Sequence, residues 1–257
     1  MKIAVTGATG FIGQHVINAL KNTDAEIITV SRNNTADVMM DISNVTYEVL
    51  GCPDVLIHLA WDGLPNYKSL HHFETELPKQ YAFLKSLIDA GLKKLVVTGT
   101  CFEYGMQSGG LSVNHPIQPT NPYGYAKAAL HQQLTFLQQN TPFQLSWTRL
   151  FYLYGVGQAP SSLYSQLKLA IQHGDKVFNM SGGEQLRDFL AVEQASEQIA
   201  QLALSNHNGT INICSGKPIS VRRLVENWRG SADIELNLGY YPYPDYEPMA
   251  FWGDPLI

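Results

Sequence analysis

The chain has 257 residues, 45% of them apolar and 15% charged, with a formal net charge of −5 at neutral pH. That apolar share supplies a real core, in one compact unit or a large domain carrying a small one, and so little charge excludes long disordered tracts. The negative balance argues against a general nucleic-acid or membrane surface, so an anionic ligand must be held by local arginines and helix ends. In chain order, Lys2 to Thr6 reads as a short buried strand and Phe11 to Leu20 as a helix with apolar residues at helical spacing. Between them lies Thr6-Gly7-Ala8-Thr9-Gly10-Phe11-Ile12-Gly13. Gly7 permits a sharp turn, Gly10 a close approach of backbone to a pyrophosphate, and Gly13 tight packing of helix on strand. The free N–H groups at the helix start, at Phe11 and Ile12, then face the phosphates. This pattern predicts a dinucleotide cofactor.

A second strand, Glu26 to Val30, runs into Ser31-Arg32-Asn33. An acid at this strand end would bind the adenosine ribose hydroxyls and favour NAD(H). The chain has Arg32 instead, suited to a 2′-phosphate, so NADP(H) is the expected cofactor and NAD(H) the alternative. Asp41-Ile42 comes next, either an acid-apolar pair facing the adenine ring or, for Asp41, a turn residue. A third strand, Val55 to Leu59, ends in Ala60-Trp61, and the small Ala60 lets the cofactor pass over the strand end. A helix from about Leu77 to Ala90 and a fourth strand, Lys94 to Thr98, follow. Alternation of strands and helices implies a parallel sheet covered on both faces, a Rossmann-type doubly wound α/β fold.

Asn121-Pro122 opens the helix that carries Tyr123 and Lys127, whose side chains share one face. A free tyrosine has a pKa of about 10, and a nearby ammonium favours its phenolate. The pair is therefore the expected catalytic centre, with Lys127 also reaching the nicotinamide ribose. A third member should be a hydroxyl near the end of the fourth strand, within Val97-Thr98-Gly99-Thr100-Cys101-Phe102-Glu103-Tyr104-Gly105.

These motifs, with Arg149-Leu150-Phe151, Tyr154-Gly155 and Arg187-Asp188-Phe189, resemble the extended short-chain dehydrogenase/reductase family, in its NAD(P)-dependent nucleotide-sugar epimerase, dehydratase and reductase group. The resemblance covers nearly the whole chain. It implies Thr100 as the catalytic hydroxyl, with Thr98 as the runner-up. It also sorts reaction types. Relatives that eliminate water carry an Asp-Glu pair where this chain has Cys101-Phe102, which argues against dehydration. Relatives that epimerise at carbons 3 and 5 use a cysteine at the position of Phe102, and Cys101 is offset from it. Glu103 stands where an aliphatic is usual and either touches the sugar or faces solvent.

On the substrate side the resemblance places Tyr152 where the family has an asparagine on the diphosphate, and Arg187 where an arginine grips it. It implies residues 1–150, with 187–206, as the cofactor domain, and 151–186 with 207–257 as a smaller substrate-binding lobe. The expected activity is NADPH-dependent reduction, at carbon 4, of a nucleotide-linked 4-keto-6-deoxyhexose. A 4-epimerase using the same residues is the alternative. A non-enzymatic cofactor-sensing binder is the other class, and the presence of Tyr123, Lys127 and Thr100 together argues against it. A homodimer through the helices near Leu77 and Lys127 is a family expectation. His71-His72 and His115 read as surface or turn residues, and no metal site is expected. The three cysteines, Cys52, Cys101 and Cys214, lack metal-ligand spacing and fit a reducing cytoplasm, with Cys101 read as a small buried residue. The opening residues already form a core strand, so no leader is expected, and no apolar run is long enough to span a bilayer.

Overall fold

The computed structural model describes residues 1–255. Its centre is a parallel sheet of seven strands in the order β11-β7-β5-β4-β1-β2-β3. These strands are β1 (Lys2–Thr6), β2 (Glu26–Ser31), β3 (Val38–Met39), β4 (Val55–His58), β5 (Lys94–Thr100), β7 (Gln144–Leu150) and β11 (Gly209–Ile213). Every residue of β4 and β5 is buried, as expected of parallel strands covered on both faces. Two apolar cores account for that burial. One lies under α2 (Leu77–Asp89) and α3 (Pro122–Asn140), with Leu84, Leu87, Leu130 and Leu134 against Leu56 and Leu95. The other lies under α1 (Phe11–Leu20) and α5 (Val192–Leu204), with Val16, Leu20 and Ile199 against Ile3, Val5 and Ile57.

The strand order reverses at β1, which pairs with β2 on one side and β4 on the other. A crevice opens at the carboxyl ends of the strands where such a reversal occurs. The register fixes what meets there, since Thr6 pairs with His58, and His58 with Val97. Thus the Gly7 turn, Leu59-Ala60 and the end of β5 come to one edge of the sheet. β5 runs further than its sequence pattern indicates, to Thr100, and pairs with β7 along that whole length.

The remaining elements are smaller: β6 (Gly109–Leu111), β8 (Tyr152–Tyr154), α4 (Leu163–His173), β9 (Val177–Asn179), β10 (Leu186–Ala191), β12 (Pro218–Ser220), α6 (Val221–Arg229), β13 (Glu235–Asn237) and β14 (Phe251–Gly253). Leu167, Phe178, Met180, Val225 and Ile234 form their own apolar cluster from α4, β9, α6 and the approach to β13. Ser220 caps α6 by accepting from the Arg223 N–H at 3.2 Å. The stretch expected to form only the smaller lobe also contributes β11 to the edge of the large sheet. Among the described residues no helix is long and apolar enough to cross a membrane.

Candidate active site

The cleft is built first from backbone. Gly7 has a φ of +69°, and a Cβ there would lie 2.9 Å from the Ala60 nitrogen. A Cβ at Gly13 would lie 2.2 Å from the Gly7 carbonyl oxygen. Any side chain at either position would push helix, turn and β4 apart. Gly10 is the N-cap of α1 and brings no side chain to it, so the first-turn N–H groups at Phe11, Ile12 and Gly13 remain for an anionic group. This cradle fits a pyrophosphate. Gly7, Gly10, Arg32, Asp41, Ile42, Leu59 and Ala60, all anticipated from sequence, line one cleft. So do Thr9, Ser31, Trp61, Asp62, Glu76 and Lys79, which were not.

At the far end of the cleft Arg32, expected at a 2′-phosphate, instead donates from Nη1 to Asp62 Oδ2 at 3.1 Å, in a solvent-exposed ion pair. That hydrogen bond holds the Asp62 carboxyl below the usual carboxylate range. Asp41 is held at about 2: burial works against this, but the Ser43 N–H and Lys79, whose Nζ lies 3.0 Å away, outweigh it. Two carboxylates therefore face this end of the cleft. Beneath it, Thr6 and Gln80 fix His58 through Nδ1 at 2.8 Å and Nε2 at 2.6 Å. Burial, and then the Lys127 charge, lower His58 to about 3, so it is a neutral core histidine. Asp62, His71 and Glu76 converge within 4.8 Å, but Asp62 is paired with Arg32 and Glu76 accepts from Gln80 and the Asp62 N–H.

The second half of the site comes from α3 and the end of β5. Asn121 caps α3 by accepting from the Gly124 N–H at 2.8 Å, with Pro122 in the first turn. This start directs both Tyr123 and Lys127 inward, at 8% and 2% exposure. Lys127 Nζ donates to the Thr98 carbonyl at 2.8 Å. The Thr98 hydroxyl is turned back to the His58 carbonyl, whereas Thr100 sits at the strand end and opens a short 3₁₀ turn, Cys101–Tyr104. Burial pushes the Tyr123 phenol well up, with Tyr67 and Glu103 adding to it and Thr100 opposing. Burial pulls Lys127 down to about 7, against the charges of Glu103 and Glu76. The lowering of the tyrosine by its lysine, expected from their spacing, is thus outweighed by burial of both.

Glu103 neither touches a sugar position nor faces solvent. It is fully buried and accepts from the Thr100 N–H at 2.9 Å, Trp147 Nε1 at 3.0 Å and Arg149 Nε at 2.8 Å. Arg149 continues to the Tyr104 hydroxyl, and Tyr104 to Asn212. Glu103 and the Thr100 side chain form a reciprocal cap that fixes the Thr100 backbone. Cys101 is buried, as its sequence context indicates, and burial raises its thiol.

Of the histidine pair, His71 is partly exposed, but His72 departs from expectation. His72 is fully buried in a π-helical turn, His72–Glu76, and its ring centroid is 5.2 Å from that of Tyr123. Trp61, Tyr67 and Phe102 complete an aromatic wall around Tyr123, at centroid distances of 5.9, 5.6 and 6.5 Å.

Arg187, expected at the substrate diphosphate, is engaged within the chain in this structure. Its guanidinium lies between Tyr152 and Phe251, at 5.8 and 4.9 Å from the ring centroids. Instead of facing an open pocket, it is 3% exposed and donates to Glu247 Oε2 from Nε and Nη2, at 3.3 and 3.0 Å. Its Nη1 donates to the Leu186 and Met249 carbonyls. The segment around Glu247 lies across the same region, with the Tyr246 ring 6.5 Å from Phe102 and Asp245 paired with Lys68 at 3.3 Å. The neighbouring Asp188 holds a turn, accepting from the Ser215, Gly216 and Gly253 N–H groups.

A doubly wound sheet, a glycine cradle at its switch point and a buried Tyr-x-x-x-Lys beside it define a dinucleotide-dependent enzyme. The chain belongs to the NAD dependent epimerase/dehydratase family, whose model matches residues 3–214. It is 30% identical to a dTDP-6-deoxy-L-talose 4-dehydrogenase (NAD(+)) of Aggregatibacter actinomycetemcomitans, over 98% of this chain and 99% of that relative. It is 28% identical to a GDP-6-deoxy-D-talose 4-dehydrogenase of the same organism, over 99% of this chain and 89% of that protein. A solved structure of MoeE5 in complex with UDP-glucuronic acid and NAD superposes with a TM-score of 0.85 at 25% identity, covering 99% of this chain and 90% of that one.

Proposed function

We propose that the chain interconverts the alcohol and the ketone at carbon 4 of a nucleotide-linked 6-deoxyhexose, reducing the 4-keto sugar, with NAD(H) as its cofactor. The observation that carries this reading is the burial of Tyr123, Lys127 and Thr100 near the end of β5, with Lys127 over Trp61, which lines the glycine cleft. The sugar class rests on the two 4-dehydrogenases to which the chain is similar. The preference for NAD(H) over the NADP(H) expected from Arg32 rests on the Arg32–Asp62 pair, and on the NAD(+) in the name of the first of those relatives. Residues 1–150 with 187–206 are assigned to the cofactor, and most of the remainder to the sugar nucleotide.

When bound, the nicotinamide supplies the hydride to carbon 4, or takes it in the reverse direction. Tyr123 gives its phenolic proton to the carbon-4 oxygen as that oxygen becomes a hydroxyl, and takes it back in oxidation. Thr100, its backbone locked by Glu103, holds the same oxygen. Lys127 releases the Thr98 carbonyl to hold the nicotinamide ribose, and its ammonium stabilises the phenolate left on Tyr123. The buried, aromatic setting keeps bulk water from the phenol. Arg187 takes the diphosphate once Glu247 has given way, and Tyr152 lies alongside it.

A 4-epimerase would use the same residues and return the hydride to the opposite face, and the family description names epimerases first. Incubation with NADH and a panel of dTDP- and GDP-linked 4-keto-6-deoxyhexoses separates the two. Stoichiometric loss of NADH absorbance with formation of a 6-deoxyhexose is expected. Interconversion of 4-epimers with no net NADH change would establish the epimerase instead.

A further inference from the structure

Trp61 lies three residues past the end of β4 and walls the cofactor cleft. Lys127 Nζ lies over its indole, 4.0 Å from the ring centroid, and only 5.8 Å from the Tyr123 ring. The indole edge also packs on Tyr123, with an interplanar angle of 75°. Trp61 therefore touches both members of the catalytic pair. Its own orientation is set by His72: Trp61 Nε1 donates to His72 Nδ1 at 3.1 Å, and the two rings stack at 29°. His72 is anchored in turn through Nε2, 2.8 Å from the Asn66 carbonyl oxygen.

Donor and acceptor chemistry fixes the state of this relay. An indole N–H only donates and a backbone carbonyl only accepts. His72 must then offer a lone pair at Nδ1 and a proton at Nε2, which makes it neutral and defines its tautomer. The segment carrying these groups is tied to α3, since the Tyr123 N–H donates to the Tyr67 carbonyl at 3.2 Å. A π-helical turn, His72–Glu76, presents His72 to Trp61, and such turns concentrate at functional sites.

We propose that Trp61 and His72 are a positioning pair for Lys127: the indole face holds the ammonium in its charged form beside Tyr123, and His72 holds the indole. The proposal rests on the reading of Lys127 as part of the catalytic set. Lys127 is deeply buried and favoured in its charged form by the Thr98 carbonyl at 2.8 Å and, through space, by Glu103 and Glu76, with neutral His58 nearby; the indole face in contact with it adds to these.

The test follows the Lys127 side-chain NMR resonances in isotope-labelled protein against pH, beside steady-state kinetics. Trp61→Leu is expected to lower the Lys127 titration midpoint by roughly one pH unit, the tenfold worth of a cation–π contact in a desolvated site. It lowers kcat by about ten- to thirtyfold, with the sugar-nucleotide KM little changed. Trp61→Phe, which keeps a ring and loses the N–H, falls between. His72→Asn offers an acceptor near Nδ1 and restores most of kcat, whereas His72→Leu behaves like Trp61→Leu. A folded Trp61→Leu or Trp61→Phe with an unmoved Lys127 midpoint and normal kcat overturns the proposal. So does equal behaviour of the two His72 variants. If the midpoint moves as expected while Tyr123→Phe keeps full turnover, the pair stands and the catalytic reading of Tyr123 is what fails.

Discussion

Glu247 offers an experiment in which stability and affinity move in opposite directions. Arg187 is buried and gives two N–H donors to one Glu247 oxygen and two to backbone carbonyls. If Arg187 grips the substrate diphosphate, the carboxylate and the phosphates compete for one guanidinium. Glu247→Gln keeps the shape and an acceptor but removes the competing charge. A charge-assisted hydrogen bond is worth about 1.5–3 kcal/mol, so nucleoside diphosphate affinity should rise roughly ten- to hundredfold. Removing one partner of a buried pair costs about 3–5 kcal/mol when nothing replaces it. Glu247→Ala should therefore melt about 6–20 °C lower in the absence of ligand, at 2–4 °C per kcal/mol for a chain of this size. Nucleoside diphosphate should restore much of that loss. Calorimetric titration with dTDP, UDP and GDP, and melting with and without each, measure both effects. Unchanged or weaker affinity in Glu247→Gln would show that the Arg187–Glu247 pair is permanent and that the diphosphate binds elsewhere.

Tyr123→Phe should retain the fold and bind cofactor yet lose kcat by roughly 10²–10⁴-fold, with Thr100→Val losing less; near-normal turnover by the phenylalanine variant would remove Tyr123 as proton donor. Fluorescence titration should find NADH bound more tightly than NADPH, and Asp62→Asn, which frees Arg32, should narrow the gap more than Arg32→Ala does; equal affinities in the unmodified protein would contradict the role given to the Arg32–Asp62 pair. Lys127 is held at about 7 against an ordinary lysine value of 10.5. The unfolded chain then binds more protons than the folded one between these values, so this residue makes stability rise with pH there. Lys127→Met should accordingly stabilise the apoprotein most below about pH 7 and progressively less towards pH 10.5, while abolishing turnover. A stabilisation that is flat across this range in chemical denaturation would refute the desolvated charge.

Residues whose job depends on backbone shape or local spacing were legible in the sequence. Gly7 and Gly13 announce themselves because no other residue fits where turn, helix and β4 meet. Tyr123 and Lys127 announce themselves because one helix face joins them. Glu103 could not be read this way, since its partners Trp147 and Arg149 arrive from β7. Arg32 and Arg187 were recognised as cations near anions, but their actual partners, Asp62 and Glu247, lie far along the chain. His72 looked like a loop residue because adjacent histidines amid polar neighbours carry no periodic signal. Only the fold around Trp61 and Asn66 shows that it is core.

The two buried arginine–glutamate pairs differ in a way that bears on function. Arg149 and Arg187 each sit on a strand, at 3% exposure, against a carboxylate. Glu103 lies in a 3₁₀ turn, where its side chain also closes the cap on Thr100 and bonds Trp147. Releasing it would leave Arg149 unpaired, uncap the turn and shift Thr100, so no ligand gains by displacing it. Glu247 lies in an irregular segment after β13, with a side chain 11% exposed, and accepts from Arg187 Nε and Nη2. On the proposed reading, a phosphate replaces each of those bonds without disturbing a helix or a strand. The same ionic chemistry is thus structural at Arg149, whereas the proposed diphosphate site requires it to be exchangeable at Arg187, where the carboxylate sits on irregular backbone.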